Sequence, residues 1–279
     1  MASHYPTYKQ SIGLLLIWLL ATLVSALVII IPFFSLTDGI GLSLTYIASL
    51  LLSIAFAFNM RNNWQLPTAS FPSAVIFLSV AIILSYGMVL EPLQALLPTS
   101  DTLLEMLRGV KEQPIPYFIM IVIAAPLLEE IFFRGVILDG FLKNYKALHA
   151  ILVSAFIFAL VHGNLVQGLN AFILGVLFGW IYWKTKSIIP TIILHAINNA
   201  LAFAASFYSD EADIDKSTRE YINNDLIYVS IYAGSIVLLL ICLWILHKKY
   251  LSALSGGEVS MVVSDRDQAE QDLLNPNMD

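Results

Sequence analysis

The run Pro126-Leu127-Leu128-Glu129-Glu130-Ile131-Phe132-Phe133-Arg134-Gly135 sets two carboxylates and a guanidinium inside a stretch, Pro114 to Leu142, that is otherwise apolar and long enough to cross a bilayer. A charge at the centre of a membrane helix costs ~2.5–3.5 kcal/mol on insertion scales, so such residues face a protein interior or a wet cavity and mark a site. The rest of the chain reads as scaffold for this cluster: an all-α polytopic membrane protein, about eight transmembrane helices enclosing an intramembrane cavity.

Composition supports that reading. Of 279 residues, 58% are hydrophobic and only 12% charged, against roughly a quarter charged in a soluble domain. The net charge of −6, with the acidic residues mainly in one loop and the C-terminal tail, provides no polybasic footprint for nucleic acid. The single cysteine, Cys242, lies in an apolar run and supports neither a disulfide framework nor a cysteine-based metal site. One Lys9 and no small-residue cleavage signal after the first apolar run make that run a retained helix rather than a signal peptide.

A helix needs about 20 apolar residues to span a hydrocarbon core of ~30 Å. Eight stretches qualify: Ser11–Phe34, Ile40–Met60, Ser73–Leu90, Pro116–Leu138, Leu148–Gly163, Leu165–Trp183, Ile188–Tyr208 and Ile227–His247. The fifth is short, ~24 Å by helical rise, and only Gly163-Asn164 joins it to the sixth, which predicts a tight hairpin. Lys9, Arg61, Lys143, Lys146, Lys184, Lys186, Lys248 and Lys249 fall on one side of an eight-span arrangement, whereas Arg108, Lys111, Lys216 and Arg219 fall on the other. The excess of basic residues puts both termini in the cytoplasm. Thr99–Gln113 mixes Leu103, Leu104, Met106, Leu107 and Val110 with charges, the pattern of an amphipathic helix on the external surface. Residues 1–254 form the membrane domain, and 255–279, polar and opened by Gly256-Gly257, read as a disordered cytoplasmic tail.

Within the charged run, adjacent Glu129 and Glu130 point about 100° apart on a helix and need different partners. Glu130 and Arg134 are four apart, the spacing at which acid and guanidinium meet on one face. Those two brace each other, leaving Glu129 to face a cavity as a general base. His162 closes the fifth span, and His195 lies in the seventh with Asn199 one turn onward. Taken singly, such residues are ordinary interhelical glue. Together they make a candidate hydrolytic set: glutamate and His162 hold and deprotonate a water, while His195 and the Asn199 amide donate to a carbonyl oxygen as it becomes an oxyanion. The same residues allow a second scheme, with Glu129, His162 and His195 holding a divalent metal such as zinc; the HExxH spacing of familiar zinc peptidases is absent.

Glu129-Glu130-x-x-x-Arg134, Phe158-x-x-x-His162 and His195-x-x-x-Asn199, in that order on successive spans, resemble the CPBP family: type II CAAX prenyl endopeptidases and related bacteriocin-processing and abortive-infection (Abi) proteins. The resemblance covers residues 116–205. It implies an intramembrane endopeptidase in which Glu129 and His162 position the water, His195 and Asn199 form the oxyanion site, and Glu130 and Arg134 support them. Members are often labelled metalloproteases, yet a metal-free scheme accounts better for Asn199, since amides are poor zinc ligands. The substrate would be a membrane-associated peptide or protein, prenylated or unprenylated. The short loops fit a prokaryotic plasma membrane, where peptide maturation or bacteriocin immunity would be the role.

Counting residues from the cytoplasmic ends exposes a conflict. At ~1.5 Å per residue His195 lies ~10 Å deep, Glu129 ~13–20 Å, and His162 near the external end of its span. Either the fifth span tilts or starts deeper, or the hairpin after it is re-entrant, with irregularity expected at Pro126 and Gly163. Two other function classes compete: a proton-coupled transporter using Glu129, Arg134, His162 and His195 as a relay, and a non-catalytic membrane scaffold or immunity protein.

Overall fold

The computed structural model describes residues 4–30, 39–98, 101–208 and 216–252, so the tail read as disordered lies outside the described residues. The elements are α1 (Tyr8–Ile30), α2 (Gly39–Arg61), α3 (Ala74–Gln94), α4 (Asp101–Glu112), α5 (Pro114–Asn144), α6 (Ala147–Leu160), α7 (Leu165–Thr185), α8 (Ile189–Tyr208), α9 (Thr218–Ile222) and α10 (Asp225–Leu251). Among the described residues seven helices are long and apolar enough to cross a membrane, and α6 is a shorter apolar helix between two of them. No strand interrupts this all-α architecture among the described residues. Leu16, Leu20 and Leu23 of α1 and Val229, Leu240 and Trp244 of α10 are exposed, a surface suited to lipid rather than water.

Helix α5 runs through its charges instead of stopping at Leu138 as hydropathy predicts. Asp139 is matched: Arg61 reaches its Oδ2 at 3.5 Å, Lys143 the same oxygen at 2.7 Å, and the Tyr182 hydroxyl donates to Oδ1 at 3.1 Å. The helix is not uniform. Ile119–Ala124 and Ile131–Leu138 are wound as π-helix around an α-helical Ala125–Glu130. Pro126 has no N–H to donate to the i−4 carbonyl, which explains the interruption just before the glutamates.

The amphipathic helix expected after residue 99 forms as α4, with Val110 buried and the Tyr117 ring packed against Gly109. Helix α6 ends on Gly163, whose φ of +70° is open to glycine without strain. Asn164 then caps α7, its side-chain oxygen accepting from the Gln167 N–H at 2.9 Å. The α6–α7 hairpin closes so tightly that a Cβ on Gly175 would stand 3.0 Å from Ala155 Cβ and 3.1 Å from its Cα. Gly175→Ala should therefore cost about 1–3 kcal/mol by overpacking, read as a lower midpoint of thermal unfolding in detergent. Gly234→Ala, with nothing within 4 Å of its added carbon, is the control and should lose nothing.

The turn between α7 and α8 is sunk into the protein. Thr185, Ser187 and Ile188 are buried. Ile188 N–H donates to the Pro67 carbonyl at 2.9 Å, and Thr68 and Ser187 form an isolated antiparallel bridge. A Cβ on Gly135 would meet Leu66 at 3.2 Å and Ile188 at 4.0 Å, which places this turn beside the middle of α5 rather than at its end. The Arg61 guanidinium fixes the approach from α2, donating to the Gly135 carbonyl at 2.8 Å and the Gln65 carbonyl at 2.8 Å.

Candidate active site

The depth conflict disappears once these two features are combined. Glu129 lies fifteen residues before Asn144 and His162 fifteen after Ala147. Both therefore sit ~22 Å from the shared α5–α6 turn by helical rise. His195 is only six residues into α8, but α8 starts at the level of Gly135, so the imidazole reaches the glutamates. Counting from a surface misplaces it because its helix does not begin at one. The hairpin after α6 thus follows without His162 leaving the level of Glu129, and both line one cavity.

Glu130 is fully buried and carries two partners on one oxygen: Arg134 Nη1 at 2.8 Å and His195 Nδ1 at 2.9 Å. Arg134 is also buried, with Nη2 donating to the Gly175 carbonyl at 3.5 Å and its guanidinium over the Phe158 ring at 4.7 Å and the Phe178 ring at 5.6 Å. The i, i+4 brace is present, and His195 is its third member, which local spacing does not reveal.

Glu129 is divided between two environments. Oε1 accepts from the Tyr46 hydroxyl of α2. Oε2 is buried with no hydrogen-bond partner in the protein and stands 3.8 Å from His195 Nε2, too far for a direct hydrogen bond. His162 Nδ1 lies 2.8 Å from the Phe158 carbonyl. A carbonyl only accepts, so Nδ1 carries the proton and Nε2 is left as an acceptor. Asn199 donates one amide hydrogen to the Ile121 carbonyl at 2.9 Å and accepts at Oδ1 from Asn198 at 3.2 Å, leaving its second amide hydrogen available.

Glu129, His162, His195 and Asn199 all line one cavity of about 280 Å³, together with Ile121, Leu174 and Phe178. Glu130 and Arg134 stand behind it. The structure therefore gathers the residues singled out in the sequence at one place. It adds Met106 of α4 and three side-chain amides to the wall, Gln167, Asn170 and Asn198, with Asn170 also accepting from the Tyr86 hydroxyl at 2.5 Å. The spacing Asn164, Gln167, Asn170 marks a polar stripe on an apolar helix that sequence could have flagged. Tyr46 gives no such signal, because a tyrosine near the end of a membrane helix normally reads as an interfacial anchor.

Both imidazoles spend Nδ1 inside the protein and turn Nε2 outward, as metal-bound histidines do. Among the described residues, however, no three His, Cys, Asp or Glu side chains stand together as a metal-holding group. Glu129, His162 and His195 as placed do not make a ligand set.

Comparison with known proteins matches this same part of the chain. Residues 111–201 match the family model described as type II CAAX prenyl endopeptidase Rce1-like. An 88-residue stretch is 34% identical to the "Putative membrane peptidase YdiL" of Bacillus subtilis (strain 168), covering 31% of this chain and 36% of that protein. The match thus spans about a third of the relative's length. No solved structure matches. The matched segment, residues 111–201, is the one that contributes Glu129, His162, His195 and Asn199 to the cavity, and it is similar to the type II CAAX prenyl endopeptidase family over that length.

Proposed function

We propose that the protein is an intramembrane endopeptidase that hydrolyses a peptide bond of a membrane-associated substrate without a covalent intermediate. The observation that carries this reading is the unpartnered Oε2 of Glu129, in a side chain that lines one partly polar cavity together with both imidazoles and the Asn199 amide. A water held by Glu129 Oε2 and His162 Nε2 attacks the peptide carbonyl carbon and gives its proton to Glu129. Charge develops on the carbonyl oxygen, where His195 Nε2–H and the spare Asn199 hydrogen receive it. With Nδ1–H committed to Glu130, donation from Nε2 uses the imidazolium form, whose charge faces the Glu130 and Glu129 carboxylates at 2.9 and 3.8 Å. Collapse breaks the C–N bond, and Glu129 passes its proton to the leaving amine, restoring the starting state.

In this reading both termini are cytoplasmic, since Arg61 at the end of α2 and Lys143 at the end of α5 gather on Asp139, on the side to which the excess of basic residues assigns the cytoplasm. The α6–α7 hairpin then lies toward the opposite face.

Purified protein in detergent, given a farnesylated CAAX peptide and an unprenylated peptide pool, should yield new peptide termini from at least one of them. Asn199→Ala should lower kcat by about 10²–10³-fold, the usual loss of one oxyanion donor. A carboxylate proton relay would survive that substitution, so an unimpaired Asn199→Ala protein would count against peptidase chemistry. Adding a chelator should leave cleavage unchanged in the metal-free scheme; a loss reversed by zinc would move the reading to Glu129, His162 and His195 as ligands.

A further inference from the structure

Tyr46 lies outside the matched segment 111–201, yet its hydroxyl reaches the central carboxylate of the cavity, donating to Glu129 Oε1. The main chain that carries the phenol is held from behind. Ser49 Oγ donates to the Tyr46 carbonyl at 2.9 Å and accepts from Trp18 Nε1 of α1 at 3.2 Å. Ser53 Oγ donates to the Ser49 carbonyl at 2.7 Å, and both serines are fully buried. Hydrogen bonds thus tie α1 to the main chain of α2 at the residue whose phenol reaches the glutamate on α5.

A carboxylate has two equivalent oxygens and a broad terminal torsion, so an unfixed one offers either oxygen in several directions. A phenol on Oε1 removes that freedom and leaves Oε2 as the basic atom, 3.8 Å from His195 Nε2. We infer that Tyr46 is a positioning residue: it orients the Glu129 carboxylate so that one defined oxygen meets the water, and α1 and α2 are thereby part of the site rather than packing around it. The kinetic part of this inference rests on the peptidase reading; the effect on the carboxylate does not. The titratable and charged groups facing Glu129 are Tyr46 from α2, His195 from α8, His162 across the cavity from α6, and Glu130 with Arg134 on its own helix.

The test compares wild type, Tyr46→Phe and protein carrying 3-fluorotyrosine at position 46. The Glu129 carboxyl bands, isolated in the infrared as wild type minus Glu129→Gln, are recorded in each at one fixed pH. Losing the donor on Oε1 changes the environment of that oxygen, so the Glu129 bands should move in Tyr46→Phe; the fluorinated phenol donates more strongly and should move them the other way. With the farnesylated and unprenylated peptides, Tyr46→Phe should lose about 10- to 100-fold in kcat with KM roughly unchanged, as expected for a misplaced catalytic group.

Unshifted carboxyl bands in both variants would overturn the inference, whether or not activity falls, because a purely structural role would not separate the two. Opposite shifts support it even if neither peptide is cleaved by wild type, an outcome that instead overturns the peptidase reading.

Discussion

Glu129→Gln is expected to lower kcat by about 10³- to 10⁴-fold, the upper part of the range for a lost general base. The substitution is close to isosteric. The carbonyl of the new amide can still accept from Tyr46, while its NH₂ would occupy the place of Oε2, turning an unpartnered acceptor of the cavity into a donor. Water would then be held by a group unable to take its proton. Because a buried charge is removed and the shape is kept, stability should stay level or rise. The measurement is single-turnover cleavage of a peptide found to be a substrate of the wild type, alongside thermal unfolding in detergent. Cleavage retained within about tenfold would remove Glu129 from the proton-transfer role, and loss of activity with loss of fold would leave the base assignment to the less disruptive Glu129→Asp.

The second large effect is on stability. Glu130→Ala leaves Arg134 buried without its carboxylate and frees His195 Nδ1 at the same time, since both rely on Glu130 Oε1. Breaking a buried pair by removing one partner costs about 3–5 kcal/mol, more than a truncation of this size costs by lost packing alone. The contacts of Arg134 with Phe158 and Phe178 offset only part of this. Glu130→Ala/Arg134→Met should recover much of the stability, because an apolar side chain fits the pocket that Phe158 and Phe178 form. It should not recover cleavage, because His195 remains unanchored. Equal unfolding midpoints for wild type and Glu130→Ala would show that the brace carries no net stabilisation, and full activity in the double variant would separate His195 from Glu130.

How legible the site is depends on the range of each interaction. The Glu130–Arg134 brace is one helical turn, so spacing alone reveals it. Gly163 and Asn164 announce the α6–α7 turn because a left-handed residue and an N-cap are local requirements of the backbone. Pro126 likewise marks the irregular winding of α5. The His195–Glu130 contact and the Tyr46–Glu129 contact cross 65 and 83 residues, and nothing in either local sequence encodes the partner. The level of His195 is hidden for a related reason. Hydropathy registers where a helix becomes apolar, not whether its first residue is tucked beneath a neighbouring loop, and the pairing of Ile188 with Pro67 is what lowers α8 into place. The extension of α5 beyond Leu138 is concealed because Asp139 looks like a terminus until Arg61 and Tyr182 arrive from other helices.

The brevity of α6 has a further effect on the surroundings. Fourteen residues make a rod ~21 Å long, against an acyl slab of ~30 Å. Lipids flanking that rod must shorten or splay to meet it, indenting one leaflet beside the outward-facing Leu160 and Leu165. In a bilayer, bulk solvent would then approach the imidazole of His162 along a shorter path than elsewhere on the perimeter, a local supply of the water that the proposed hydrolysis consumes.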